Sequence, residues 1–563
     1  MSDVVEKRGA LIVGAGPVGL TMACELLRRG VPFRLIDKAT EPTDKSKALA
    51  IHSRTLEMLE SMGMVEQFLQ AGHIVYGTNF YNHSKKLLHL SFDEIDGPYP
   101  YALMIPQCET ERLLREYLLA QGLAVERGVE LSAFRLKGDL AEVTLKHEDG
   151  REEQASYDWL LGCDGAHSAV RHTLGLKFEG EQYAEGFSTF DVHVHWDKPD
   201  DELSIFVSDD GMMAFFPLGN NRYRVIADAP VGNHKTGDPI TLAEAQKVVD
   251  ERGPGHVTLS DPVWMTWFTI NRRSAAKYSL GRAFLVGDAA HIHSPALGQG
   301  MNTGMQDAFN LAWKLALVDK GLSRPELLDS YQAERHPVGQ ALLKITDVVT
   351  RVATLRGALA SGIRNRMIPL LAGHEVVQHR ALKTLSMLGV NYRHSAIVGE
   401  YHGAAKTGGK RGALTKIGAW LEFAHGPLPG DRAPDGYVCS VPDGELLRLF
   451  LAIANGQHNL LLFAGLQADA ASIDRLDQAA NLIDDKYSGL IKPHFIVAGE
   501  VALSGLKPGV EVLFDTDQSL HHTYGAAEAC LYLIRPDGYI SYRSEPVDVP
   551  HLVAHLGLIF NKI

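Results

Sequence analysis

Close to its start the chain carries a segment that permits very few folds. Gly9 to Val13 (GALIV) is an apolar run of strand length, and Gly14-Ala15-Gly16-Pro17-Val18-Gly19 follows without a spacer. Leu20, Ala23, Leu26 and Leu27 then recur at helical spacing until Gly30 interrupts, and Val31–Ile36 returns to strand character before Asp37. Strand, glycine loop, helix, strand and acid in this order predict a βαβ unit, since parallel neighbours need a crossover and a helix is the usual one. In such a unit the glycines allow a tight turn and the close approach of a pyrophosphate, and the helix start offers free N–H groups. An acid about 20 residues on can reach a ribose hydroxyl. The segment therefore predicts a dinucleotide against Gly14, Gly16, Pro17 and Gly19, with Asp37 and the adjoining Lys38 at the sugar end.

Two distant segments repeat the strand-to-helix design. In Trp159–Arg171 (WLLGCDGAHSAVR) a short apolar strand runs into Asp164-Gly165, and a helix starts near Ser168. From Ala283 a strand reaches Val286, then Gly287-Asp288, a glycine-broken loop and a helix from about Met301. An Asp after a tight Gly turn can accept bonds from sugar-chain hydroxyls. A helix start presents unpaired N–H groups and partial positive charge to an anionic or electron-rich group.

At 563 residues the chain exceeds one hydrophobic core, and two to four domains are expected. A net charge of −13 with no long basic block argues against nucleic acid or an anionic membrane as partner. No run reaches the roughly 18 apolar residues of a membrane span, and the N-terminus has no signal-peptide pattern. Five scattered cysteines without a CxxC pair fit small buried fillers in a reduced, cytoplasmic protein, and point to no metal site or disulfide framework.

Phe178 to Phe268 reads as an antiparallel sheet, from alternating runs such as Phe187–Trp196, Leu203–Ser208, Met212–Leu218 and Arg222–Ala227. His193 and His195 share one strand face; Arg222 and Arg224 share another. Phe215 and Phe216 point oppositely, so one is core, and alternation alone leaves open which. Leu327–Leu388 is largely helical. Tyr401–Arg432, rich in Gly, Lys and Pro, reads as a linker, and the tail beyond it as α/β with a hairpin at Asp537-Gly538.

The three glycine segments together resemble the single-component flavin-dependent aromatic hydroxylases, typified by p-hydroxybenzoate and phenol hydroxylases. The likeness runs from about Leu11 to Leu315. It implies an α/β fold: a Rossmann-type FAD-binding domain in two parts (1–177 and 276–400, the second with the helical region), an inserted antiparallel β-sheet substrate domain (178–275), a linker (401–432) and a thioredoxin-like α/β domain (433–563). It implies FAD held by Gly14, Gly16, Gly19 and Asp37, by Lys47 near the pyrophosphate, by Gln107 and Asp288 at the ribityl chain, and by Gly298, Gly300, Met301 and Asn302 at the isoalloxazine. Asp164, Gly165 and Arg171 fall on a segment implicated in FAD and NADPH contact, and Pro295 where the family sets a carbonyl close to the flavin. The implied reaction takes hydride from NADPH, with NADH allowed, and hydroxylates a phenolic ring with O₂ through a flavin hydroperoxide. His193, His195, Phe215 and Arg224 are the substrate-side candidates. His52, the two sheet histidines, or a phenolate stabilised by Arg224 are the candidates for handling the phenol proton. A homodimer is an allowed assembly.

Departures from the family are local. Lys47 stands where Arg is common, keeping charge but losing the planar fork. Asp37 replaces the more usual Glu, and Leu49 stands where some phenol hydroxylases carry Asp. Ala464-Gly465-Leu466-Gln467 occupies the place of a redox CxxC, so the tail is expected to be structural or an association surface. A flavin halogenase or other oxidoreductase of the same fold is the rival enzyme, although Trp264-Met265-Thr266-Trp267-Phe268 lacks the halogenase WxWxIP pattern. A flavin-binding sensor or scaffold is the non-enzymatic rival.

Overall fold

The computed structural model describes residues 8–44, 46–209, 211–229, 235–354, 375–403, 422–440, 444–467, 469–499 and 511–561. The chain forms two compact units: Met1–Ala312 with Arg335–Leu388, and Trp313–Glu334 with Gly389–Ile563.

The first unit is built on the βαβ segment. Strand β1 (Ala10–Val13) is buried along its whole length, as a central parallel strand covered on both faces must be. Helix α1 (Pro17–Arg28) begins on proline, whose fixed φ suits the first helical position, and leads to β2 (Phe33–Asp37). Strand β3 (Trp159–Gly162) lies parallel to β1 on its other side, pairing Ala10 with Trp159 and Val13 with Gly162.

A second, eight-stranded sheet takes five strands from 178–275 and three from outside that stretch, Gly77–Asn82, Lys85–Ser91 and His291–Ile292. The expected antiparallel insert is therefore not self-contained, and the strand Glu202–Ser208 runs parallel to Gly77–Asn82. The sheet includes β4 (Phe178–His195), β5 (Gly211–Pro217), β6 (Arg222–Ala229) and β7 (Thr258–Ala275). The antiparallel register pairs Phe215 with Val225, Phe216 with Arg224, and Arg224 with Asp191. Paired residues share a sheet face, so Phe216, Arg224 and Asp191 lie together and Phe215 lies opposite. Phe215 is fully buried in a core with Phe190, Phe206, Tyr223 and Val225, its ring 4.5 Å from that of Trp196. Phe215 is therefore a core residue and not a substrate contact; Phe216 is the partly buried one, packed with Leu49 and Leu203.

The chain returns to the first sheet with β8 (Ala283–Leu285), parallel to β3, and then enters helices α2 (Gly300–Asp319) and α3 (Asp329–Ala353). These bring all three glycine segments to the C-terminal ends of neighbouring strands β1, β3 and β8, where ligands of open parallel sheets bind.

The second unit is an eight-stranded mixed sheet around β9 (His458–Phe463). Helix α4 (Ala470–Lys486) connects β9 to the parallel β10 (Ile491–Ala498), and β11 (Glu511–Asp515) continues the parallel side. On the other side β12 (Cys530–Ile534) and β13 (Ile540–Glu545) form an antiparallel hairpin, followed by α5 (Val549–Ile559). Trp313 and Leu327 are buried in this unit's core with Leu460, Leu476, Leu531 and Leu556. Beside them Glu334 accepts hydrogen bonds from Lys314 (2.7 Å), Ser395 (2.7 Å) and both terminal nitrogens of Arg535 (2.7 and 2.9 Å). The tail expected to begin at residue 433 thus includes the stretch Trp313–Glu334, which its sequence position did not suggest. Within the expected linker, Tyr401 and His402 belong to a strand paired with Ser544 and Glu545, while 404–421 lie outside the described residues.

Candidate active site at the glycine segments

The first glycine loop serves the protein and a ligand through different residues. Gly14 has φ +99°, and a Cβ there would sit 2.5 Å from the Cys163 carbonyl oxygen. A Cβ on Gly19 would fall 1.9 Å from the Gly14 oxygen. Gly16 differs: it caps α1, and a Cβ there meets no protein atom within 4 Å. That open side at a helix start is where a pyrophosphate needs bare backbone. Asp37 accepts from Ala15 N at 2.7 Å and from Ala39 N at 2.8 Å, so its carboxylate also closes the loop; Lys38 beside it is exposed.

At the second segment Ser168 caps the short helix by accepting from Arg171 N at 2.9 Å. Asp164 accepts from Val170 N through Oδ2, whereas its Oδ1 is buried without a hydrogen-bond partner, and burial raises its pKa. Gly165 adjoins it with φ +73°. Arg171 differs from expectation. Its guanidinium lies inside the protein, stacked 3.8 Å over Phe178 and donating to Ala166 O and Ala289 O at 2.8 Å each. It ties this corner to the Gly287–Ala289 turn instead of extending toward a ligand.

Asp288 is solvent-accessible although protein surrounds it, as for a carboxylate on the floor of a deep cleft. Burial raises its pKa, and His291 and Lys47 oppose that rise. Lys47 itself is exposed. Gln107, at the start of helix Gln107–Ala120, holds the Lys47 loop in place: its N donates to Ser46 Oγ at 2.8 Å, and its Oε1 accepts from Ala48 N at 3.2 Å.

The third segment forms a compact turn. The Pro295 carbonyl accepts from Gly298 N at 2.9 Å, and Gly298 takes the left-handed φ of +64° that closes the turn. The first intrahelical bond of α2 runs from Thr303 N to Gln299 O, so the N–H groups of Gly300, Met301 and Asn302 have no acceptor within the helix. The Asn302 side chain is spent on the protein: it donates to Ala50 O (2.8 Å) and Gly298 O (3.0 Å) and accepts from His52 N (3.0 Å). His52 Nε2 donates to Leu297 O at 3.1 Å, and burial lowers its pKa to about 4. The ring is therefore neutral, and its bond to the Leu297 carbonyl ties the start of the Ser53–Ser61 helix to the Pro295–Gly298 turn.

Arg224 also departs from its expected role. Its guanidinium is 1% exposed, paired twice with Asp191 at 2.6 Å, and reaches Ser46 Oγ at 3.5 Å. Asp191 neutralises the charge that was to stabilise a phenolate. His193 pairs in register with Arg222 on the same sheet face, but both converge on the exposed Asp261, at 3.7 and 2.7 Å. His195 bonds Ser260 Oγ at 2.8 Å. Neither histidine reaches the glycine segments. The residues that sequence reasoning missed, Asp191, Ser46 and Leu297, act through partners far away in the chain, and no local pattern marks them.

The arrangement fits FAD: an open helix start at Gly16, an accessible Asp288, an unpartnered Asp164 oxygen and a second helix start at Gly300–Asn302. The comparisons agree. Residues 7–346 match the family model described as an FAD binding domain. The chain is 35% identical over 555 residues to 6-methylpretetramide 4-monooxygenase of Streptomyces rimosus, covering 97% of this chain and 92% of that protein. It is 34% identical to pentachlorophenol 4-monooxygenase of Sphingobium chlorophenolicum, covering 95% and 93%. Among solved structures, the anhydrotetracycline hydroxylase from Streptomyces rimosus is similar with a TM-score of 0.72 and 28% identity, over 98% of this chain and 99% of that one. Aklavinone-11 hydroxylase, solved with FAD and aklavinone, shares the fold with a TM-score of 0.74 at 22% identity and full coverage of both chains. No helix among the described residues is long and apolar enough to cross a membrane. The chain belongs to the FAD-binding family of flavin-dependent aromatic monooxygenases.

Proposed function

We propose that the protein hydroxylates a phenolic ring at the expense of NADPH and O₂, in the cytoplasm. The observation that carries this reading is the meeting of an accessible Asp288 with two free helix starts in a chain similar to monooxygenases over nearly its whole length. FAD, when bound, supplies the oxygen activation; the protein binds it, orients it and keeps water out. Gly16 takes the pyrophosphate with Lys47 near it, Gln107 flanks the ribityl chain with Asp288, and the turn Pro295–Asn302 faces the ring system. The sheet face carrying Phe216 and Leu203, with its neutralised Arg224–Asp191 pair, is the substrate wall.

His52 is bonded to the Leu297 carbonyl and the charge of Arg224 is met by Asp191, so substrate reactivity follows the acidity of the phenol itself. Phenols already ionised at neutral pH, such as polyhalogenated ones, turn over faster than unsubstituted phenol. The second unit is of thioredoxin-like plan, supported by the β9–α4–β10 crossover and the β12–β13–α5 ending, without redox chemistry at Ala464–Gln467. NADPH oxidation under air with phenols of graded acidity, followed by product analysis, tests the reading. A yellow protein that oxidises NADPH with none of them, and forms no hydroxylated product, overturns it.

A further inference from the structure

The turn that presents Asp288 is held from behind by a buried charge cluster. Gly287 N donates to Asp307 Oδ2 at 3.2 Å, and His291 Nε2 donates to the same oxygen at 2.8 Å. Arg335 Nε donates to the other oxygen, Oδ1, at 2.6 Å, and its Nη2 donates to Thr303 O at 3.1 Å in the first turn of α2. Asp307 and Arg335 are fully buried and His291 nearly so. Burial alone would raise the Asp307 pKa, but Arg335 and His291 outweigh it and hold the carboxyl ionised. The backbones they join are also in contact: a Cβ on Gly304 of α2 would lie 3.1 Å from the Gly287 Cα.

Two features set this cluster apart from ordinary core glue. Burying an ionised carboxylate is costly, and apolar side chains fill such a space at less cost. Here the charge is aimed at one backbone N–H, adjacent to the residue that faces the cleft, and its arginine partner reaches the helix start on the other side. We propose that Asp307, Arg335 and His291 are positioning residues for FAD. They fix the Asp288 turn and the first turn of α2 as one body, so cofactor affinity depends on a carboxylate too deeply buried to touch it.

The test is titration of the apoprotein with FAD, followed by quenching of flavin fluorescence, with the visible circular dichroism of the bound flavin and the thermal melt of each apoprotein in parallel. Asp307→Asn keeps the volume but removes the charge, and its affinity for FAD should fall about 10- to 100-fold, the range for losing a hydrogen bond to a charged group. The flavin dichroism should change with it. Arg335→Lys and His291→Gln, which keep a donor but not the geometry, should fall about 3- to 10-fold, and they decide the matter if Asp307→Asn does not fold. Variants that bind FAD within about twofold of the parent with unchanged dichroism, whatever their melting temperatures, overturn the proposal.

Discussion

Replacing Gly16 by alanine should separate cofactor binding from folding. Gly16 has φ −74° and ψ −176°, a region alanine adopts freely, and the added methyl meets no protein atom within 4 Å. Two small effects on the apoprotein oppose each other. Removing a glycine from the unfolded chain stabilises by about 0.4–1 kcal/mol, and alanine is a poorer N-cap than glycine by up to about 1 kcal/mol. Apoprotein stability should therefore stay within about 1 kcal/mol of the parent. The methyl instead occupies the space a pyrophosphate needs. Overpacking costs about 1–3 kcal/mol, which weakens FAD binding roughly 5- to 150-fold. Gly19→Ala is the contrast, because its Cβ would lie 1.9 Å from the Gly14 oxygen and 3.0 Å from the Gly14 carbonyl carbon. That clash is with backbone, so the apoprotein itself should lose about 3 kcal/mol or more. Denaturant melts of both apoproteins and FAD titrations make the comparison. A Gly16→Ala protein that binds FAD like the parent, or unfolds as readily as Gly19→Ala, refutes the reasoning.

Asp191→Asn should strip Arg224 of its counter-charge in a buried site and cost about 3 kcal/mol, with much of the loss recovered by the double change Asp191→Leu, Arg224→Met; a single variant within about 1 kcal/mol of the parent would show the pair to be dispensable. Burial lowers His52 from its ordinary 6.5 to about 4, so folding favours the neutral ring. The stability this gives is complete above pH 6.5 and is lost as the pH falls toward 4, amounting to at most about 3 kcal/mol. His52→Gln should flatten the fall of the urea midpoint across that window by about one proton, and an unchanged slope would contradict it. Cys24, Cys163, Cys439 and Cys530 are buried and Cys108 is half-buried. A thiol reagent should therefore label the native protein at Cys108 ahead of the others, and rapid labelling that survives Cys108→Ser would count against the described packing.

The parts of the site that were legible in the sequence are those built from neighbours in the chain. Gly14, Gly16 and Gly19 are readable because strand, loop and helix lie within one stretch, and Gly287–Asn302 because a helix start carries its own signature. The illegible parts depend on distant partners. Arg224 meets Asp191, 33 residues away, only through sheet register, so its net charge toward a ligand could not be read from either residue. Asp307 meets Gly287 across 20 residues and Arg335 across 28. Phe215 and Phe216 show the same limit: strand alternation yields two faces, and only the core built from Phe206, Tyr223 and Val225 decides which faces inward. The division at Trp313 left no trace because α2 is buried almost throughout, its polar residues Asn302, Gln306, Asp307, Asn310 and Lys314 included, so no exposed face marks a change of surroundings.

That division bears on modularity. A gene ending at Leu388 would still encode Trp313 and Leu327, but not Leu460, Leu476 and Leu531, which cover them. It would also encode Lys314 and Glu334 without Arg535, so Glu334 would lose the two hydrogen bonds it accepts from that guanidinium. Shortened versions of this chain should therefore aggregate instead of yielding a smaller working enzyme. Exchange of tails between relatives should succeed only when residues 313–334 travel with the tail, so the unit of inheritance is discontinuous in the gene.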